Sequence, residues 1–117
     1  MDELRQLTEE VVRFRDERDW KQFHTPRQLA AALTIEAGEL QETMLWKSDG
    51  QVDAALSEPT AMAALRSEIG DVLIYALLLC SATNTDPTDA VRAKLATNAV
   101  KYPVGKSRGV STKYTGL

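Results

Sequence analysis

The chain has 117 residues, 44% of them hydrophobic and 26% charged, with a net charge of -3, which suits one soluble domain with one core. Its acidic balance argues against a general nucleic-acid binder, and its single cysteine, Cys80, excludes an internal disulfide and favours a reduced setting. Met1-Asp2-Glu3-Leu4 has neither the basic nor the apolar part of a signal peptide, and the longest apolar run, 72–80, falls far short of the roughly 20 residues that cross a bilayer. A cytoplasmic location is the expectation.

Residues 2 to about 18 place Leu4, Leu7, Val11 and Phe14 on one helical stripe, with charges on the outer face. Those charges have partners in reach, such as Glu9 one turn before Arg13, and read as solvated. Residues 19–24 form a connection carrying Trp20 and Phe23. Thr25-Pro26-Arg27-Gln28 is a strong helix start, with a capping threonine and a proline at the first position. That helix should run to about residue 46. Ser48-Asp49-Gly50 signals a turn, with a short helical turn possible over 52–56. Thr60 is a candidate cap for a third helix ending near 82–84, apolar on every side over 72–79, as at the centre of a bundle or an oligomer. Asp86-Pro87-Thr88-Asp89 starts a fourth helix, stopped near residue 102 by Pro103. Residues 102–117 read as a basic tail that packs on a surface without being helical; from Lys101 onward there are Lys101, Lys106, Arg108 and Lys113 and no acid. The expected fold is all-α and four-helix bundle-like, one domain over 1–117.

Two acidic steps organise the chemistry: Glu36-Ala-Gly-Glu39 and Glu68-Ile-Gly-Asp71. Carboxylates three residues apart share a helix face, and here neither pair has a Lys or Arg one turn away. On a regular helix Glu36, Glu39, Thr43 and Trp46 fall within an arc of about 80°, and Glu68, Asp71 and Tyr75 within about 60°. Facing arcs would bring four carboxylates together, a charge that protons or cations must offset. Oxygen-only ligands select hard cations, Mg²⁺ first and Mn²⁺ as a substitute, and Mg²⁺ commonly binds phosphates jointly with carboxylates. A lone Glu-x-x-Glu is usually a solvated face; two without countercharges favour a site. Gly38 and Gly70, opposite the acids, suggest close helix packing behind it. His24 is the only histidine, so histidine-based nucleophilic catalysis and a Glu-x-x-His di-iron site lack support.

The order Glu36-x-x-Glu39, loop, Glu68-x-x-Asp71 resembles the MazG-like, all-α nucleoside triphosphate pyrophosphohydrolases, and in particular their dCTP pyrophosphatase branch. The stretches 17–20, 22–24, 26–27, 38–40, 46–49 and 71–75, with Lys94, Asn98, Tyr102-Pro103 and Lys113-Tyr114-Thr115, carry the resemblance over nearly the whole chain. Many members have a glutamate where Ile35 stands; the dCTP branch shares a non-acidic residue there. The resemblance implies Mg²⁺-dependent hydrolysis of a nucleoside triphosphate to monophosphate and pyrophosphate. Glu36, Glu39, Glu68 and Asp71 would bind metal, with Glu36 and Glu39 serving the chemical step. Trp20, Trp46 and Tyr75 would enclose the base, and Lys94, Asn98 and Lys101 would hold phosphates. It also implies a homo-oligomer, dimer or tetramer, whose pockets borrow residues from a neighbour. The rival from another class is a non-enzymatic helical oligomer whose acids bind a basic ligand.

Overall fold

A computed structural model describes residues 2–117; Met1, the first residue of the domain and of the leader reading, lies outside them. Among the described residues all regular structure is helical. α1 spans Glu3–Glu17, α2 Pro26–Glu42, α3 Asp49–Leu56, α4 Pro59–Ala82, α5 Pro87–Lys101 and α6 Val104–Ser107, with single 3-10 turns at Lys21–Phe23 and Tyr114–Gly116.

Local chemistry fixes most starts. The side chains of Asp2, Thr25, Ser48 and Asp86 each accept the N–H of the residue three further on, filling donors that a helix leaves open. Ser48 and Gln51 complete a reciprocal capping box, so Asp49 and Gly50 begin a helix instead of making the expected turn. α4 starts before Thr60: Pro59 takes the first position behind Glu58, which makes no side-chain cap. The tail also departs from expectation. Pro103 ends α5 and leads into the single-turn α6, and the Tyr114 ring then meets Tyr102 edge-on at 5.9 Å, with Lys101 Nζ 4.8 Å from its centre.

The 24-residue α4 is the hub: α2 packs along it most extensively, α1 and α3 also meet it, and α5 meets α1. Arg5 ties α1 to the start of α5, donating from Nε to Asp86 at 2.6 Å and pairing with Asp2 and Asp89. The core is small. Leu29, Leu65, Leu77 and Leu78 are its buried hydrophobic side chains among the described residues, Leu29 being 1% exposed. Elsewhere the all-round apolar stretch of α4 is left uncovered, with Leu73 56% and Ile74 41% exposed, and Phe14 of α1 is open beside it. The radius of gyration, 17.6 Å, exceeds the roughly 13 Å of a close-packed domain of this length. Gly38 and Gly70 face open space where a Cβ would stand, so the tight helix contact expected behind the acids does not form within one chain.

Candidate active site

α2 and α4 bring the acidic steps together. Glu36, Glu39 and Glu68 each offer a carboxylate oxygen, and these oxygens lie within 4.8 Å of one another. Asp71 stands just outside this triad, close enough for its charge to act on Glu36. Among the described residues none of the four makes an ion pair. Glu39 is exposed, whereas Glu36 and Glu68 are half-buried, and one oxygen of each, Glu36 Oε2 and Glu68 Oε2, is buried with no hydrogen-bond partner. An orphaned buried carboxylate oxygen is unfavourable. The immediate consequence falls on Glu36: the Glu39 carboxylate, then burial, then Glu68, push its pKa up to about 7. Unsatisfied oxygens, an all-carboxylate donor set and an unmet negative charge are what a hard divalent cation requires, so these residues fit one.

Next to the acids a cavity of about 270 Å³ is lined by Trp20, His24, Asp71, Tyr75 and Arg15, with Val11, Phe14, Ile74 and Leu78 as its apolar part. The turn after α1 builds its rim. Asp19 takes a left-handed conformation, φ 54, which Asp tolerates, and the Trp20 N–H returns to the Arg15 carbonyl. Trp20 thereby meets Phe14 edge-on at 5.9 Å, and the Arg18 guanidinium carbon lies over the Phe14 ring, 3.6 Å from its centre. Asp71 and Tyr75, one turn apart on α4, join this aromatic pocket to the acid cluster.

The other anticipated residues are not gathered here. α2 ends at Glu42, where the Thr43 hydroxyl returns to the Leu40 carbonyl and Lys47 Nζ to that of Thr43. Trp46 is therefore off the acidic arc, in a left-handed conformation of φ 64 and 93% exposed. Lys94, Asn98 and Lys101 lie on α5, outside the residues lining the cavity, Lys101 being engaged with Tyr114. Two residues that sequence reasoning set aside do line the cavity. Arg15, counted with the solvated charges of α1, is only 6% exposed; the expected Glu9–Arg13 pair does not form among the described residues, and Arg15 binds Asp16 at 2.8 Å. His24 has a buried, unpartnered Nδ1, and its pKa is lowered by burial and by Arg15.

An all-α chain that closes two helices around carboxylates, with aromatics at their edge, is a helical acidic-cluster protein whose donor set fits a divalent cation. More particularly, the chain belongs to the MazG-like family, whose model matches residues 31–117. It is 44% identical over its whole length to "dCTP pyrophosphatase 1" of Rattus norvegicus and 42% identical to that of Homo sapiens, spanning 67% of each. The crystal structure of a pyrophosphatase from Archaeoglobus fulgidus superposes with a TM-score of 0.79 at 36% identity, covering 88% of this chain and 94% of that one.

Proposed function

We propose that this protein is a Mg²⁺-dependent nucleoside triphosphate pyrophosphohydrolase acting on dCTP-like or modified deoxynucleotides, a cytoplasmic nucleotide-pool enzyme formed from one domain over 1–117. The observation that carries this reading is the three-carboxylate cluster with two orphaned oxygens, in a chain 44% identical to a dCTP pyrophosphatase.

Glu36, Glu39, Glu68 and Asp71 hold the metal, Mg²⁺ or in its place Mn²⁺. When bound, that ion supplies Lewis acidity to the phosphate chain. The protein groups do the rest. Glu39, the exposed member, accepts a hydrogen bond from the attacking water and orients it towards the α-phosphorus, with Glu36 beside it. The water oxygen bonds to the α-phosphorus as the bond from that phosphorus to the α–β bridging oxygen breaks; the water proton passes to the Glu39 carboxylate, and pyrophosphate leaves with the bridging oxygen. Trp20 and Tyr75 face the base across the cavity. Trp46, Lys94, Asn98 and Lys101 complete the pocket from a neighbouring copy, the lysines offsetting charge on the departing pyrophosphate. A homodimer or tetramer is supported by the uncovered Leu73 and Ile74 and by the open form of the chain.

Incubation with each dNTP, 5-modified dCTPs and ribonucleotides in Mg²⁺, with pyrophosphate as readout, tests the reading. Turnover is expected for a cytosine deoxynucleotide. A folded oligomer that releases no pyrophosphate from any of them would instead be a binding protein. Glu39→Gln should lower the rate by at least roughly 100-fold with helix content intact, since even outer partners of a metal site are worth 10–100-fold.

A further inference from the structure

Behind the aromatic pocket lies a second cavity, of about 330 Å³, whose polar lining is Arg15, Lys21, His24, Ser81 and Asn84. Among the described residues no acidic side chain lines it. Its chemistry is the inverse of the metal cluster's, since every polar side chain lining it can donate a hydrogen bond and two of them are cations. The Arg15 side chain is 7% exposed, and Asp16 takes its Nε and Nη2 edge; its Nη1 has no protein acceptor among the described residues. The Lys21 ammonium makes no ion pair or hydrogen bond there, and the Ser81 hydroxyl and Asn84 amide are likewise without side-chain partners among the described residues. His24 Nδ1 is buried and unpartnered. The amino end of the 17-residue α2 opens on the same space through Pro26, adding partial positive charge. The opposing dipole end of α4 is muted, because the N–H groups of Thr83, Asn84 and Thr85 return to its last carbonyls.

Asp16 neutralises one edge of the buried Arg15 guanidinium; its remaining edge, the exposed Lys21 ammonium and the orphaned His24 Nδ1 can donate into the same space, and an oxyanion would accept from all three. Metals are disfavoured, because arginine and lysine offer no lone pair to a cation. A cavity of this volume within the wall also suits a small ligand better than a polymer. We propose that this rear cavity is a binding site for a small phosphate-type oxyanion, held by Arg15, Lys21, His24, Ser81 and Asn84. Two sources share that chemistry: free phosphate or pyrophosphate, and the phosphate end of a second nucleotide. Arg15 and His24 also line the aromatic pocket, so an occupant grips from behind the wall that faces the base. The site is separate from the metal cluster and does not depend on the hydrolysis reading.

The test uses the full chain in EDTA, so that the carboxylate cluster, lacking a cation, repels anions. Phosphate, pyrophosphate and dCMP are titrated in turn by calorimetry and by ³¹P line broadening. One saturable site per chain is expected for at least one of them. Pyrophosphate as the tightest of the three would identify the free anion, and dCMP would identify the nucleotide. Lys21→Gln should weaken binding about tenfold, the equivalent of 1.4 kcal/mol, and Asn84→Asp, which adds a repelling charge at a position of φ 53 that Asp accepts, by more. Neither should change helix content. The proposal is overturned if no probe saturates by about 10 mM, a Kd already weaker than a minimal specific site. It is equally overturned if both variants bind as the parent does while Trp20→Ala abolishes binding, which would place the anion in the aromatic pocket.

Discussion

Metal binding at Glu36, as proposed, would be a proton exchange. The Glu36 carboxyl, ordinarily at 4.5, is raised to about 7 by Glu39, burial and Glu68, so in the metal-free protein at pH 6 it is mostly protonated. A divalent cation takes the ionised form and must expel that proton. For one site with a pKa of about 7, the apparent affinity is divided by about 11 at pH 6 and about 1.1 at pH 8, a roughly tenfold gain across the interval. The same group acts on stability with the opposite sign. Between 4.5 and about 7 the folded metal-free chain binds more protons than the unfolded one, so stability falls as pH rises through that window and the loss is complete above it. Calorimetric titration with Mn²⁺ at pH 6, 7 and 8, in buffers of differing ionisation enthalpy, reads affinity and proton release together. Close to one proton should leave per ion at pH 6 and about half a proton at pH 7. Glu36→Gln should bind more weakly, without the pH dependence, and its metal-free melting temperature should no longer decline over this range. An affinity that is flat from pH 6 to 8 in the parent would refute the reasoning.

Leu29→Ala, at the most buried side chain, should cost about 2–5 kcal/mol in denaturant unfolding. Arg5→Ala should lower the melting temperature slightly, less so in high salt, because the pairs it makes are part-exposed. Arg5 holds the Asp86 carboxyl below its usual range, so that contribution is present at neutral pH and disappears on acidification below about 4. Trp46→Gly removes a left-handed conformation worth about 1–2 kcal/mol in a residue with a Cβ, so the melting temperature should hold or rise while KM increases. Dissociation of the oligomer in that variant would instead give Trp46 a packing role.

Sequence pattern made the acids legible because spacing and missing countercharges are local properties. Glu36 and Glu39 share a helix face by period alone, and Thr25-Pro26 marks their helix by cap chemistry that needs no tertiary partner. Where a boundary depended on competition, the pattern misled. Trp46 falls on the acidic arc if α2 continues to it, but the Thr43 hydroxyl and Lys47 compete for the last carbonyls and the chain turns away. Thr60 outranks Glu58 as a cap by residue type, yet Pro59 decides the start of α4. Arg15 was the larger omission. Charges on an amphipathic helix are normally solvated, and only the fold of residues 19–24 back over α1 buries this one. Gly38 and Gly70 show the opposite case: the close packing expected from their position opposite the acids finds no neighbour within one chain.

The separation of the acidic steps along the chain has a mechanical consequence. A cation shared by Glu39 on α2 and Glu68 on α4 closes the intervening segment, α3 included, into a ring. A covalent bridge over a loop of that size withdraws about 3–4 kcal/mol of freedom from the unfolded chain. Such an ion would be a detachable staple across a chain with few buried side chains, and chelation should loosen α3 and the helix ends flanking it before it disturbs the Arg5 knot at the opposite end.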